Sequence, residues 1–186
     1  MNAKSKFYED AARGGVWLGV AEVLFSAVTM VRPSSLLSLA NVAVFVTLLT
    51  IFTKRRAARY SAEEGCTYGQ CLKFIICMSA FAGVLRGAYS LAASNFFWPE
   101  KYHELIDQTV ALVAQTGLYA DAMLVRVKEL YEMMYFSPLW VVLINVLSMV
   151  IEGLFFGLFV AGFARREPNP FGERNGGDGE DNGNII

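Results

Sequence analysis

The sequence predicts an all-α membrane protein, with four transmembrane helices and an extracytoplasmic amphipathic helical hairpin between the third and the fourth. Three observations predict it. Of 186 residues, 55% are apolar and 18% charged, whereas soluble domains sit near 45–50% apolar and about 25% charged. The mean hydropathy is positive, at +0.40. The apolar residues also gather into four runs of roughly 18–27 residues, each long enough to cross a ~30 Å hydrocarbon core as a helix. A spanning helix satisfies its own backbone where no water is present, and an open strand does not.

Residues 1–13 are polar, carry Lys4, Lys6 and Arg13, and are expected to form a cytoplasmic N-terminus. The transmembrane domain is expected over 14–166. Its first helix, 14–31, is interrupted only by Glu22. This run exceeds the roughly 7–15 residues of a signal-peptide core, and Val31-Arg32-Pro33-Ser34 offers no small-residue cleavage site, so it is read as an uncleaved helix. The second helix, 36–53, has no charge and ends on Lys54-Arg55-Arg56. The third, 71–97, holds Lys73 near its start and Arg86 inside, and the fourth, 139–163, holds Glu152. Between them lie residues 98–137. Pro99 suits a first helical turn with Glu100 beside it. Tyr102, Leu105, Ile106, Thr109, Val110 and Val113 recur at helical spacing, Gly117 interrupts, and Met123, Val127, Leu130 and Met134 resume it. The tail, 167–186, carries Pro168, Pro170, five glycines and scattered acids without an apolar period, and is expected to be a disordered cytoplasmic extension.

Lys and Arg set the orientation. With the N-terminus inside, the inner segments hold Lys4, Lys6, Arg13, Lys54, Arg55, Arg56, Arg59, Lys73, Arg165, Arg166 and Arg174. The outer segments hold only Arg32, Lys101, Arg126 and Lys128. Both termini are therefore expected in the cytoplasm, with Trp98 and Trp140 in the outer interfacial belt. The net charge of −1 excludes a generally basic nucleic-acid binder. Cys66, Cys71 and Cys77 are an odd set without zinc-site spacing, and His103 stands far from them, so neither a disulfide framework nor a metal site is expected. No G-x-S-x-G, H-E-x-x-H, P-loop or dinucleotide fingerprint occurs in the chain. No catalytic residue and no cofactor are expected, and the chain is read as a non-enzyme.

Three charges inside the spans carry the most information. A charge at the bilayer centre costs about 2.5–3.5 kcal/mol on insertion scales, so it turns to the protein interior and seeks a partner. Gly15, Gly19, Glu22, Ser26 and Thr29 form one stripe of the first helix, and Ser79, Gly83, Arg86 and Ser90 repeat the spacing on the third. Asn145, Ser148 and Glu152 share a face of the fourth. G-x-x-x-G pairs accompany each stripe, Gly15 with Gly19, Gly83 with Gly87, and Gly153 with Gly157, and such pairs let helices approach closely in lipid. The spacing predicts a tight three-helix contact, with the second helix peripheral. At 1.5 Å per residue, Glu22, Glu152 and Arg86 lie about 12, 17 and 22 Å from the inner ends of their helices. Arg86 is thus expected to pair with Glu152, with Glu22 near enough to feel it, and two acids then share one base.

The order of parts resembles a bacterial family known as domain of unknown function 4199. The likeness covers about residues 10–166. It rests on the basic exit Lys54-Arg55-Arg56, on Gly65-Cys66-Thr67-Tyr68-Gly69-Gln70 before the third helix, on Phe97-Trp98-Pro99-Glu100 after it, and on Ser137-Pro138 before the fourth. The resemblance implies four membrane helices and a helical outer loop, and no activity or site residue. The acidic, Gly-rich tail departs from it. The sequence leaves three functional classes: a structural or accessory membrane protein meeting a second copy or another membrane protein; a small transporter or channel component using Glu22, Arg86 and Glu152; and an envelope sensor or ligand-binding protein. The partner common to all is the lipid bilayer.

Overall fold

The computed structural model describes residues 3–60, 65–117 and 120–167, which hold six α-helices. The first, α1, spans Ala3–Val31 and begins well before the Gly14 expected as its start. Tertiary contacts explain the difference: Phe7 packs edge-on against Phe74, and Asp10 accepts a hydrogen bond from Arg56 Nη1 at 2.7 Å, so the polar turns are held in helix. Helix α2, Ser35–Ala57, ends on Lys54, Arg55 and Arg56, cations at the negative end of the helix dipole.

Helix α3, Tyr68–Ala92, starts on a capping box. Thr67 Oγ1 accepts from the Gln70 amide, and Gln70 Oε1 accepts from the Thr67 amide at 2.9 Å. The third helix was expected to run unbroken to residue 97. It instead widens into a π-helical turn at Ala93–Phe97, where the Trp98 amide bonds back to the Ala93 carbonyl. The Ser94 hydroxyl and the Asn95 amide both donate to the Leu91 carbonyl, offering that oxygen partners other than the backbone. Helices α4, Pro99–Gln115, and α6, Pro138–Ala164, each open on proline at the first turn, where its missing N–H costs nothing. Helix α5 is Asp121–Phe136.

Four stretches are long and apolar enough to cross a membrane: Lys6–Val31, Ser35–Ala57, Tyr68–Phe97 and Pro138–Ala164. They alternate in direction. Both described ends of the chain therefore lie at one end of the bundle, where the Cys66 and Arg166 backbones bond to each other. This is the terminal end of the bundle. At the opposite, cap end, α4 and α5 lie against each other through Tyr102 with Tyr135, a His103–Phe136 stack and a Lys128–Asp107 ion pair of 2.6 Å. Burial pushes the Tyr102 phenol above its ordinary value, and Asp107 holds the Lys128 ammonium up likewise. Of the apolar stripe of α5, Val127 and Met134 are half-buried, and Met123 and Leu130 are exposed. The tail beyond Glu167 lies outside the described residues.

Helix α3 is central, packed by α1 on one side and α6 on the other. The three-helix contact expected from the stripes is built on α3, which packs closely on both α1 and α6; the α1 and α6 backbones do not approach each other among the described residues, and α2 packs on both. All six stripe glycines sit at these contacts. A Cβ on Gly15 would meet the Met78 carbonyl at 2.7 Å, and one on Gly19 the Leu85 Cβ at 2.9 Å. Toward α6, a Cβ on Gly83 would lie 2.6 Å from Val146 Cα, and one on Gly87 2.9 Å from Val142 Cα. In return, Cβ atoms on Gly153 and Gly157 would meet Ser79 Cβ at 2.7 Å and Ile75 Cγ2 at 2.9 Å. Helices α3 and α6 are thus notched into one another at both ends of their contact.

Burial is uneven along the bundle. Leu18, Leu49, Phe74, Ile75 and Met78 belong to one closed apolar core in the terminal half. On α2 the buried residues are Phe45 at the middle and Leu49, Thr53 and Ala57 in that half, while Leu36 and Leu39 toward the cap are exposed. Helix α2 therefore seals the terminal half and leaves a gap near the cap.

Gly83→Ala is expected to cost about 1–3 kcal/mol by overpacking, because the obstruction is backbone of α6. Gly162→Ala, on the same contact partner but with nothing within 4 Å, should be neutral or slightly stabilising. Unfolding of both variants in mixed detergent micelles checks the contrast.

Candidate functional site

Arg86 lies on the face of α3 that α1 and α6 flank. Its Nη1 stands 3.6 Å from Glu22 Oε2 on α1 and 3.7 Å from Glu152 Oε1 on α6. Both separations exceed the 2.7–3.2 Å of a direct N–H···O bond, so these are charge contacts rather than tight hydrogen bonds. The same nitrogen donates to the Met149 thioether at 3.3 Å. Side-chain exposure differs sharply across the trio: 4% for Glu22, 28% for Arg86 and 46% for Glu152. Glu22 is the carboxylate that depends on its partners.

The structure thus brings all three sequence-selected charges together, and it adds one residue. Asn41 of α2 donates through Nδ2 to Glu22 Oε2 at 3.4 Å, while its Oδ1 is buried without a partner. The sequence marks the second helix only as uncharged and peripheral. Ser38 and Asn41, three positions apart near its start, were the available signal. Closer to the cap, Ser90 donates to Asn145 Oδ1 at 3.4 Å, joining the polar stripes of α3 and α6.

These charges form the floor of a recess of about 870 Å³. Its walls are the cap-end halves of α1 and α2 and the stretch of α6 around Glu152 and Phe156, and α4 lies across its mouth. Phe25, Met30, Val42, Phe45 and Phe156 supply apolar surface, and Ser26 and Ser38 supply hydroxyls. Lys101, Glu104 and Gln108 line it from α4, a face that spacing alone marks only as polar. Lys101 Nζ also reaches the Met30 carbonyl at 3.4 Å, tying the start of α4 to the end of α1. Beneath the floor, toward the terminal end, the closed core around Leu18, Leu49 and Met78 begins.

The other candidates carry less. Cys66, Cys71 and Cys77 are free thiols, with Cys66 Sγ and Cys71 Sγ buried 3.2 Å apart at the terminal end. His103 is stacked on Phe136 at the cap, far along the chain from them. Among the described residues no group of three or more His, Cys, Asp or Glu could hold a metal ion.

A four-helix membrane bundle with an ion-pair cluster at the floor of a one-ended recess defines the structural class. The chain belongs to the family described as a protein of unknown function (DUF4199), whose model matches residues 13–166. No curated protein and no solved structure matches it.

The burial contrast predicts the response to mutation. Arg86→Met should destabilise the fold by on the order of 3 kcal/mol, because it leaves Glu22 buried without its counter-charge. Adding Glu22→Gln should recover most of the loss, and adding Glu152→Gln should recover less. A double-mutant cycle by reversible unfolding in mixed micelles measures both couplings.

Proposed function

We propose that this chain is a non-enzymatic accessory protein of a bacterial inner membrane that holds a small amphipathic ligand in the cap-end recess. Both termini face the cytoplasm in this reading, and the hairpin of α4 and α5 covers the extracytoplasmic mouth. The observation that carries it is the recess itself. Its volume of about 870 Å³ falls within the roughly 300–1,000 Å³ of small-molecule sites. Its lining combines apolar walls with a few converging polar groups, the usual division of labour in such sites. Glu22, Glu152 and Glu104 outnumber Arg86 and Lys101 in it, which favours a ligand whose head is cationic or rich in hydrogen-bond donors. The charge asymmetry supports the orientation: Lys54, Arg55, Arg56, Arg59, Arg165 and Arg166 gather at the terminal end.

The six stripe glycines are occupied by contacts within the chain, so in this reading a second copy or another membrane protein uses the remaining lipid-facing surface or the cap. A transport reading calls for a path through the terminal half, where Leu18, Leu49, Ile75 and Met78 are fully buried in one apolar core.

Ser26→Cys, in a chain with Cys66, Cys71 and Cys77 replaced by alanine, reads the recess directly. A membrane-impermeant maleimide should modify it from the extracytoplasmic side and not from the cytoplasmic side. Labelling from neither side would contradict an open recess, and labelling from the cytoplasm would reverse the orientation. Proton flux in proteoliposomes should equal that of empty liposomes. Flux abolished by Glu22→Gln would replace ligand holding with transport.

A further inference from the structure

We propose that a second cleft, at the terminal end between α1 and α2, binds the phosphate of an anionic phospholipid from the adjoining leaflet. The cleft has a volume of about 490 Å³ and is lined by Arg13, Arg55, Arg56 and Arg59 against one acid, Asp10. Four guanidinium groups face a single carboxylate, so the cleft carries three uncompensated positive charges.

The arginines divide into two roles. Arg56 is mostly covered, at 13% side-chain exposure, and is fixed: it donates to Asp10 Oδ2 at 2.7 Å and lies over the rings of Phe7 and Tyr60. Arg59 shares Asp10 from its exposed side. Arg13 and Arg55 are exposed and take part in none of the ion pairs among the described residues. Asp10 thus anchors the two arginines that build the site and leaves the other two for a ligand. Guanidinium groups match phosphate oxygens in a planar, two-pronged geometry.

The floor of the cleft identifies the ligand as a lipid rather than a free anion. Trp17, Leu48, Ile51 and Phe52 continue from the arginines along the membrane-spanning side of the cleft, over the buried ring of Phe74, and Trp17 is 61% exposed. A tryptophan at this depth sits where headgroups meet acyl chains. The headgroup phosphate lies against Arg13 and Arg55, and the chains run along Trp17 and Ile51. Basic clefts between membrane helices are suited to anionic headgroups for this combination of charge and apolar surface.

The test uses the full chain in mild detergent with one of three additions at equal concentration: dioleoylphosphatidylglycerol, dioleoylphosphatidylcholine or inorganic phosphate. Thermal midpoint and lipid retained in native mass spectrometry are read for each. Phosphatidylglycerol should raise the midpoint and remain bound, and the other two should not. In Arg13→Gln/Arg55→Gln, retention should fall about 30-fold, two surface-lipid charges being lost. Arg126→Gln, at the cap end, should behave as wild type. Equal effects of the two lipids on the wild-type chain would overturn the proposal, whether or not the double variant folds. So would equal losses in the Arg126 variant. Stabilisation by inorganic phosphate alone would make the cleft a site for a soluble anion instead.

Discussion

A guanidinium inside a membrane span has to find its counter-charge on another helix, since hydrocarbon supplies neither water nor salt. Arg86 finds two, and they lie on helices that do not touch each other. One nitrogen of α3 therefore ties α1 and α6 to opposite flanks of the same helix. The gap between those flanks is bridged by α2, which meets α1 through Asn41 and Glu22 and α6 through Phe45 and Phe156. The resulting arrangement has a central helix, two neighbours and a fourth helix closing the ring. The recess is what remains of the space inside that ring on the cap side.

The glycine contacts make the ion-pair geometry reachable. Without a hydrophobic force between helices in lipid, close approach depends on small residues that expose backbone. Gly15 and Gly19 set the depth of α1 against α3, and Gly83, Gly87, Gly153 and Gly157 set α3 against α6. Packing density and polarity then separate along the bundle. The terminal half is an apolar core, and the cap half keeps an open floor where three charges and an amide converge.

Much of this was legible in residue order. Glu22, Arg86 and Glu152 each interrupt an apolar run, and each stands on a small or polar stripe, so their convergence follows from helical period and span length. The six glycines were legible for the same reason. The early start of α1 was not, because it depends on Phe7 and Asp10 meeting Phe74 and Arg56, residues distant in sequence. The π-helical turn arises from side-chain competition for one carbonyl, which no apolar period records. Asn41 was passed over because a single amide in an uncharged run has little weight until its neighbour proves to be a buried carboxylate. Spacing marks the face of α4 that carries Lys101, Glu104 and Gln108 only as polar; these side chains are exposed and also line the recess. A periodicity distinguishes faces but does not say what each one meets.

The two ends of the bundle differ in chemistry as well as in packing. Arginines surround an apolar cleft at the terminal end, and acids predominate in the recess at the cap. The account depends on Arg86 facing both carboxylates at once in a lipid bilayer. Solid-state NMR recoupling between ¹⁵N-labelled Arg86 and the ¹³C-labelled carboxyl groups of Glu22 and Glu152 measures this directly. The account predicts dipolar contact to both carboxyl carbons, as nitrogen–oxygen separations of 3.6 and 3.7 Å require. Contact to Glu152 alone, or to neither, would contradict it.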